Sequence, residues 1–143
     1  MYLLDTNVVS ELRKVKTGRA NPGVARWAEQ ADANVLFLSV ISLHELELGI
    51  QLMERRDGPQ GALLRSWLES QVLPAFAERI LPVDAPVARR SAGLHVPDPQ
   101  PLRDGLIAAT ALEHGLTVVT RNTADFHASG VRLLNPWQEQ GAA

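Results

Sequence analysis

Tyr2-Leu3-Leu4-Asp5 is the stretch on which the fold turns: three residues suited to a buried strand, then an acid where that strand must end. A carboxylate closing an apolar run is costly to bury unless a cation or hydrogen-bond donors meet it. Asp5 is therefore a candidate for chemistry. Its competing role is to cap a short helix from Val8 to Arg13, but Asn7 can fill that role alone.

Outward from this strand, Val35–Val40 forms a second run rich in β-formers. Between the two, Asn21-Pro22 supplies an N-cap and a first-turn proline, and Val24, Trp27, Ala28 and Ala31 recur at helical spacing. Ser42 predicts the start of a helix to about Arg56, with Leu43, Leu46, Ile50 and Met53 as its apolar stripe, and Asp57-Gly58-Pro59 stops it. A further helix through Leu63, Leu64, Trp67, Leu68 and Val72 ends before Pro74, and Ile80–Val83 reads as the third strand. Asp84-Ala85-Pro86 opens another helix, which the proline-broken stretch from Val96 to Pro101 closes. The next helix runs from about Leu102 to His114, with Gly115 as its natural stop. Thr117–Thr120 and Val131–Leu134 are the last two strands. This alternation predicts an α/β fold in which helices cover both faces of a parallel sheet through right-handed crossovers.

At 143 residues, 45% of them hydrophobic, the chain fits one domain, residues 1–143, with a core that needs no staples. The absence of cysteine removes disulfides and zinc-thiolate sites and suits a reducing cytosol. The amino terminus has no basic, then apolar, leader pattern, and no apolar run approaches membrane-spanning length. A net charge of −2 argues against gripping nucleic acid by bulk charge, so any such role rests on local patches and metal. Arg13, Lys14, Lys16 and Arg19 form one patch, read first as a solvated loop and second as a phosphate-contacting one.

Open parallel sheets bind ligands at the carboxyl edge of their strands, and that edge gathers the informative residues. Asp5 ends the first strand, Glu45 sits in the first turns of the helix after the second, and Asn122 and Asp125 follow the fourth. Asp104 lies near the start of its helix, aligned with Ala108 and Ala111 on the small-residue face. Glu45 has a rival role, because Ser42-Leu43-His44-Glu45 matches a capping box; Gly49, one turn on, leaves its flank open. A turn role is the default for Asn122 and Asp125. His44, His95, His114 and His127 lack zinc-site spacing. Clustered carboxylates without cysteine or a histidine motif suit a hard divalent cation such as Mg2+ or Mn2+, and mutual repulsion would raise their pKa values in its absence.

Four segments in this order resemble PIN-domain proteins, in particular the VapC and FitB-like toxin group: Leu-Leu-Asp-Thr-Asn-Val-Val-Ser-Glu-Leu at 3–12, Leu-Ser-Val-Ile-Ser-Leu-His-Glu-Leu-Glu-Leu-Gly at 38–49, Arg-Asp-Gly-Leu-Ile-Ala-Ala-Thr-Ala at 103–111 and Val-Thr-Arg-Asn-Thr-Ala-Asp-Phe at 119–126. The ending Leu-Leu-Asn-Pro-Trp at 133–137 adds to the likeness. The resemblance implies a PIN-like three-layer α/β/α sandwich with a central parallel sheet. It also implies a Mg2+-dependent ribonuclease, with Mn2+ able to substitute, acting as the toxin of a type II toxin-antitoxin pair. RNA would be its substrate, a VapB-like antitoxin its partner, and a homodimer its assembly. By position, Asp5, Glu45 and Asp104 match the family's acidic triad. Asp5 and Asp104 are the expected direct metal ligands, with Glu45 as a ligand or acting through water. The fourth acidic position of many relatives is Asn122 here, which keeps an oxygen but loses a charge; Asp125 is placed to compensate. Arg13, Lys14, Lys16, Arg103 and Arg121 are the expected substrate cations. The alternative is a PIN-like module that binds RNA or a partner without catalysis. A haloacid-dehalogenase-like phosphatase ranks last, because it needs an aspartate where this chain has Asn7.

Overall fold

The first strand, β1 (Tyr2–Leu4), is the middle of a five-stranded sheet. The computed structural model describes residues 1–138. On one side of β1 lie β2 (Leu36–Ser39) and then β3 (Ile80–Leu81); on the other lie β4 (Thr117–Val119) and then β5 (Leu133–Leu134). Every pairing is parallel, with Leu3 opposite Phe37 on one flank and Val118 on the other.

Period-two alternation along these short strands builds two cores. Leu4, Leu36, Leu38 and Val119 point to one face, where they pack with Val8, Leu46, Ile50 and Leu68. Leu3, Val118 and Phe37 point to the other, against Ile107, Ala108, Ala111 and Phe126. The first core is covered by α1 (Thr6–Leu12), α2 (Pro22–Gln30), α3 (Val40–Arg56) and α4 (Gly58–Trp67). The second is covered chiefly by α7 (Leu102–His114), with α6 (Ala85–Leu94) packed on it. The result is the predicted three-layer α/β/α sandwich.

Local chemistry explains most helix starts. Asn21 accepts hydrogen bonds from the amides of Gly23 and Val24 ahead of α2, Asp57 caps α4, and Asp84 caps α6 through the Val87 amide. Gly115 ends α7 in the left-handed conformation at φ 67°. Two glycines allow close approach. A Cβ on Gly61 would meet the Glu54 backbone of α3, and one on Gly105 would lie 2.9 Å from His95 Nε2 at the α6–α7 contact.

Several expectations need correction. The cap of α3 is Ser39, whose Oγ accepts from the Ile41 amide, so the helix starts at Val40 and Ser42 lies inside it, fully buried with its hydroxyl unpartnered. β2 runs straight into the helix with no loop between, which the sequence pattern does not signal. Helix α1 is capped by Asp5, not Asn7, because it begins at Thr6, two residues earlier than the Val8 expected. Asp57-Gly58-Pro59 stops α3 and at the same time starts α4. The helix after it passes through Pro74: a π-helical turn over Leu68–Val72 leads into α5 (Leu73–Ala75), with the proline in that short helix's first turn, where its missing N–H costs little.

Candidate functional site

The carboxyl edge of the sheet holds a compact knot of charge. Asp5 leaves β1 fully buried, with its backbone amide bonded to the Val119 carbonyl of the neighbouring strand at 2.9 Å. Its Oδ1 accepts from the Thr6 amide at 2.7 Å, and its Oδ2 accepts from the hydroxyl of Thr120, also fully buried, at 2.8 Å. Thr120 Oγ1 in turn accepts from the Asn122 amide at 3.0 Å, so the loop after β4 is pinned to the acid on β1.

Glu45, in the second turn of α3, reaches the same point. Its Oε1 accepts from the Thr6 hydroxyl at 2.5 Å. With Ser39 as the cap, Glu45 has no capping-box duty and is free to face the cluster. The open flank at Gly49 is also present: Gly49 lines a groove with Thr6, Ser10, Arg13, Glu45 and Trp67, and a Cβ there would meet nothing within 4 Å. Asp104 completes the set from the first turn of α7, its side chain 13% exposed.

One guanidinium holds all three acids. Arg103 donates from Nη2 to Asp5 Oδ1 at 2.5 Å and to Glu45 Oε1 at 2.8 Å, from Nε to Glu45 Oε2 at 2.5 Å, and from Nη1 to Asp104 Oδ1 at 2.8 Å. Burial works against the Arg103 charge, but the hydrogen bonds to Glu45 and the carboxylates of Asp5 and Asp104 outweigh it, holding the guanidinium charged well above its ordinary range. Burial likewise pushes the Glu45 carboxyl up, and hydrogen bonds from Arg103 and Thr6 overturn this, leaving it below the usual carboxylate range. The rise expected from repulsion is thus reversed at Glu45 by a cation already in place.

The remaining candidates lie around this knot. Asn122 and Asp125 are both exposed, and none of the hydrogen bonds that tie the cluster together uses their side chains; only backbone joins them, Asp125 amide to Asn122 carbonyl. Arg13 lies exposed on the groove that Glu45 lines, Lys14 pairs with Glu11, and Lys16 sits in an exposed 3-10 turn. Arg121 stacks over the Trp137 ring at 5.5 Å, and its amide is bonded to Asn7 Oδ1. Thr6 and Thr120, which position Asp5 and Glu45, carry no signal of that role in the sequence, although Thr120 directly follows β4 and Thr6 lies two residues past β1.

Residues 2–129 match the PIN domain family. The chain belongs to that family. Among curated relatives of this PIN domain, the VapC ribonuclease Y4jK of Sinorhizobium fredii is 39% identical, over 96% of this chain and 99% of its own length. Toxin FitB of Neisseria gonorrhoeae is 41% identical, over 97% of this chain and all of its own. The crystal structure of FitAcB from Neisseria gonorrhoeae superimposes with a TM-score of 0.87 at 40% identity, covering 96% of this chain and 99% of that one. The family match and the fold therefore agree with the likeness first seen in the sequence.

The donor set has the chemistry a hard cation needs: three carboxylates against one guanidinium leave two negative charges unmatched, all on oxygen. In the arrangement seen, however, no three acidic or histidine side chains among the described residues are set to hold a metal ion. The guanidinium stands among the oxygens that would do so. Among the described residues no helix is long and apolar enough to cross a membrane.

Proposed function

We propose that the chain is a single PIN domain that hydrolyses RNA phosphodiester bonds with a divalent cation, Mg2+ in the first instance with Mn2+ able to replace it. It serves as the toxin of a type II pair and is neutralised by a VapB-like antitoxin. The observation that carries the reading is the meeting of Asp5, Glu45 and Asp104, drawn from β1, α3 and α7, around one point at the carboxyl edge of a PIN-family sheet. The ribonuclease and toxin names of relatives aligned over nearly their whole length support it.

Asp5 and Asp104 hold the cation, with Glu45 beside them. When bound, such a cation polarises a phosphoryl oxygen and lowers the pKa of its water. The rest is the work of the chain. Thr120 and the Thr6 amide fix the Asp5 carboxylate so that it cannot turn away. The Glu45 carboxyl is held ionised, and its Oε2, which accepts only from Arg103, has a lone pair left to orient an attacking water and take its proton. Arg13, Lys14, Lys16 and Arg121, all exposed, are the phosphate contacts, and Asn122 or Asp125, exposed in the loop after β4, supplies a fourth polar group beside the acids.

Cleavage of total cellular RNA by purified, antitoxin-free protein tests this reading, comparing wild type with Asp5→Asn in Mg2+, Mn2+ and EDTA. Discrete fragments from wild type with metal alone are expected. Equal cleavage by the variant would sink the site, and no cleavage under any condition would replace the nuclease by a binding module.

A further inference from the structure

We infer that Arg103 is a built-in counter-ion of the acidic site, a latch that a divalent cation must displace to bind; this rests on the nuclease reading above. Three observations carry it. First, the contact is specific in shape: one fork-shaped guanidinium engages three carboxylates through Nε, Nη1 and Nη2 together, and one of the three is fully buried. Secondly, the oxygens it occupies are those a cation would use. Asp5 Oδ1 already accepts from the Thr6 amide and Glu45 Oε1 from the Thr6 hydroxyl, so with Arg103 added each has both lone pairs engaged. Thirdly, Asp5 is wholly buried, and a buried carboxylate stripped of its cation is strongly destabilising. The Thr6 amide and the Thr120 hydroxyl hydrogen-bond to it but leave its charge unmatched, and Arg103 supplies the cation when metal is scarce.

The latch can open because only its guanidinium is committed. The side chain is 33% exposed, and beside it α3 and α7 leave a cavity of about 330 Å3 walled by Ile41, His44, Leu48, Leu102 and Leu106. An arginine stem lies well against such apolar walls while its head stays in water. The exchange of one charge for two in the same oxygen cage also cuts the unmatched carboxylate charge from two to one.

Isothermal calorimetry with Mn2+, without RNA or antitoxin, compares wild type with Arg103→Gln, and melting curves are recorded for both with and without metal. The variant is expected to bind Mn2+ about ten-fold more tightly or better, a change of ~1.4 kcal/mol. It should melt lower than wild type in metal-free buffer, with the gap closing at saturating Mn2+. A merely structural Arg103 would lower melting under both conditions without tightening Mn2+ binding, and equal or weaker binding by the variant overturns the latch while the metal site stands. If neither protein binds Mn2+, the metal-site reading falls and the latch with it. A second measurement needs no stable variant: the Arg103 Nε–H resonance of wild type should lose its hydrogen-bonded position as Mg2+ saturates, and a resonance that stays put overturns the proposal.

Discussion

Glu45 and Glu47 sit two residues apart on α3, and each belongs to a knot of three carboxylates around one arginine. Around Arg103 gather Asp5, Glu45 and Asp104; around Arg65 gather Glu47, Glu54 and Glu69. The inventories of charge are the same, and the surroundings are opposite. Arg65 binds three long glutamates with side chains 36%, 37% and 57% exposed, all within α3, α4 and the π-turn that follows. Arg103 binds two short aspartates and one glutamate from three distant elements, and Asp5 among them has no exposure at all. Water around Arg65 relaxes any excess charge, so that knot merely fastens one helix to the next. At Asp5 neither water nor rotation can relieve the charge, which makes a demand for a cation that chemistry can exploit.

The largest effect that tests this contrast is on cleavage. Glu45→Gln should lower metal-dependent RNA cleavage by about a hundred-fold or more, on the scale of losing one preorganised electrostatic group, whereas Glu47→Gln should leave the rate within two-fold (roughly) of wild type. Comparable losses from both would erase the distinction between the knots. Next comes Thr120→Val, which keeps the shape of the side chain but frees Asp5 Oδ2 from its donor. Mn2+ affinity read by calorimetry should drop by about 10–100-fold, as when the group orienting a metal ligand is removed. An unchanged affinity would show that Asp5 needs no positioning.

Stability responds more modestly. Gly105→Ala places a Cβ 2.9 Å from His95 Nε2, between α6 and the helix that bears Asp104, and should cost ~1–3 kcal/mol in urea unfolding. A neutral result would mean that the His95 ring yields freely. The smallest effect concerns Arg65. Hydrogen bonds from Arg65 and Gln51 hold the Glu47 carboxyl at about 2, below its ordinary 4.5, so its contribution to stability is complete above the unfolded value and fades as pH falls through the folded one. Urea midpoints taken between these two values should decline less steeply for Arg65→Ala than for wild type, while Mn2+ binding is untouched. An identical decline would remove Glu47 from the account of acid sensitivity.

The order of strands and helices was legible because burial on both faces of a parallel sheet leaves apolar runs that periodicity detects: Leu3-Leu4, Leu36 to Leu38 and Val118-Val119 all announce themselves. The gathering of Asp5, Glu45 and Asp104 was legible because strand ends and helix starts share one edge. Ser39 was hidden behind Ser42, since both precede plausible helix positions and only the burial of Ser42 on the stripe with Leu46 and Ile50 separates them. Thr6 and Thr120 were illegible because a hydroxyl's worth depends on which acid folds against it. Arg103 reads as a groove cation when viewed beside its neighbour Asp104; that it spans 98 positions to Asp5 is a property of the tertiary fold alone.

The site draws on both ends of the described chain. Asp5 is near the first residue, while the hydroxyl that fixes it belongs to Thr120, delivered only when β4 takes its place beside β1. During synthesis, then, Asp5 is made long before the strand that brings its hydroxyl partner. A product broken off before α7 or β4 lacks Asp104 or the strand that carries Thr120, so the meeting of acids on which the proposed cleavage depends never forms in it.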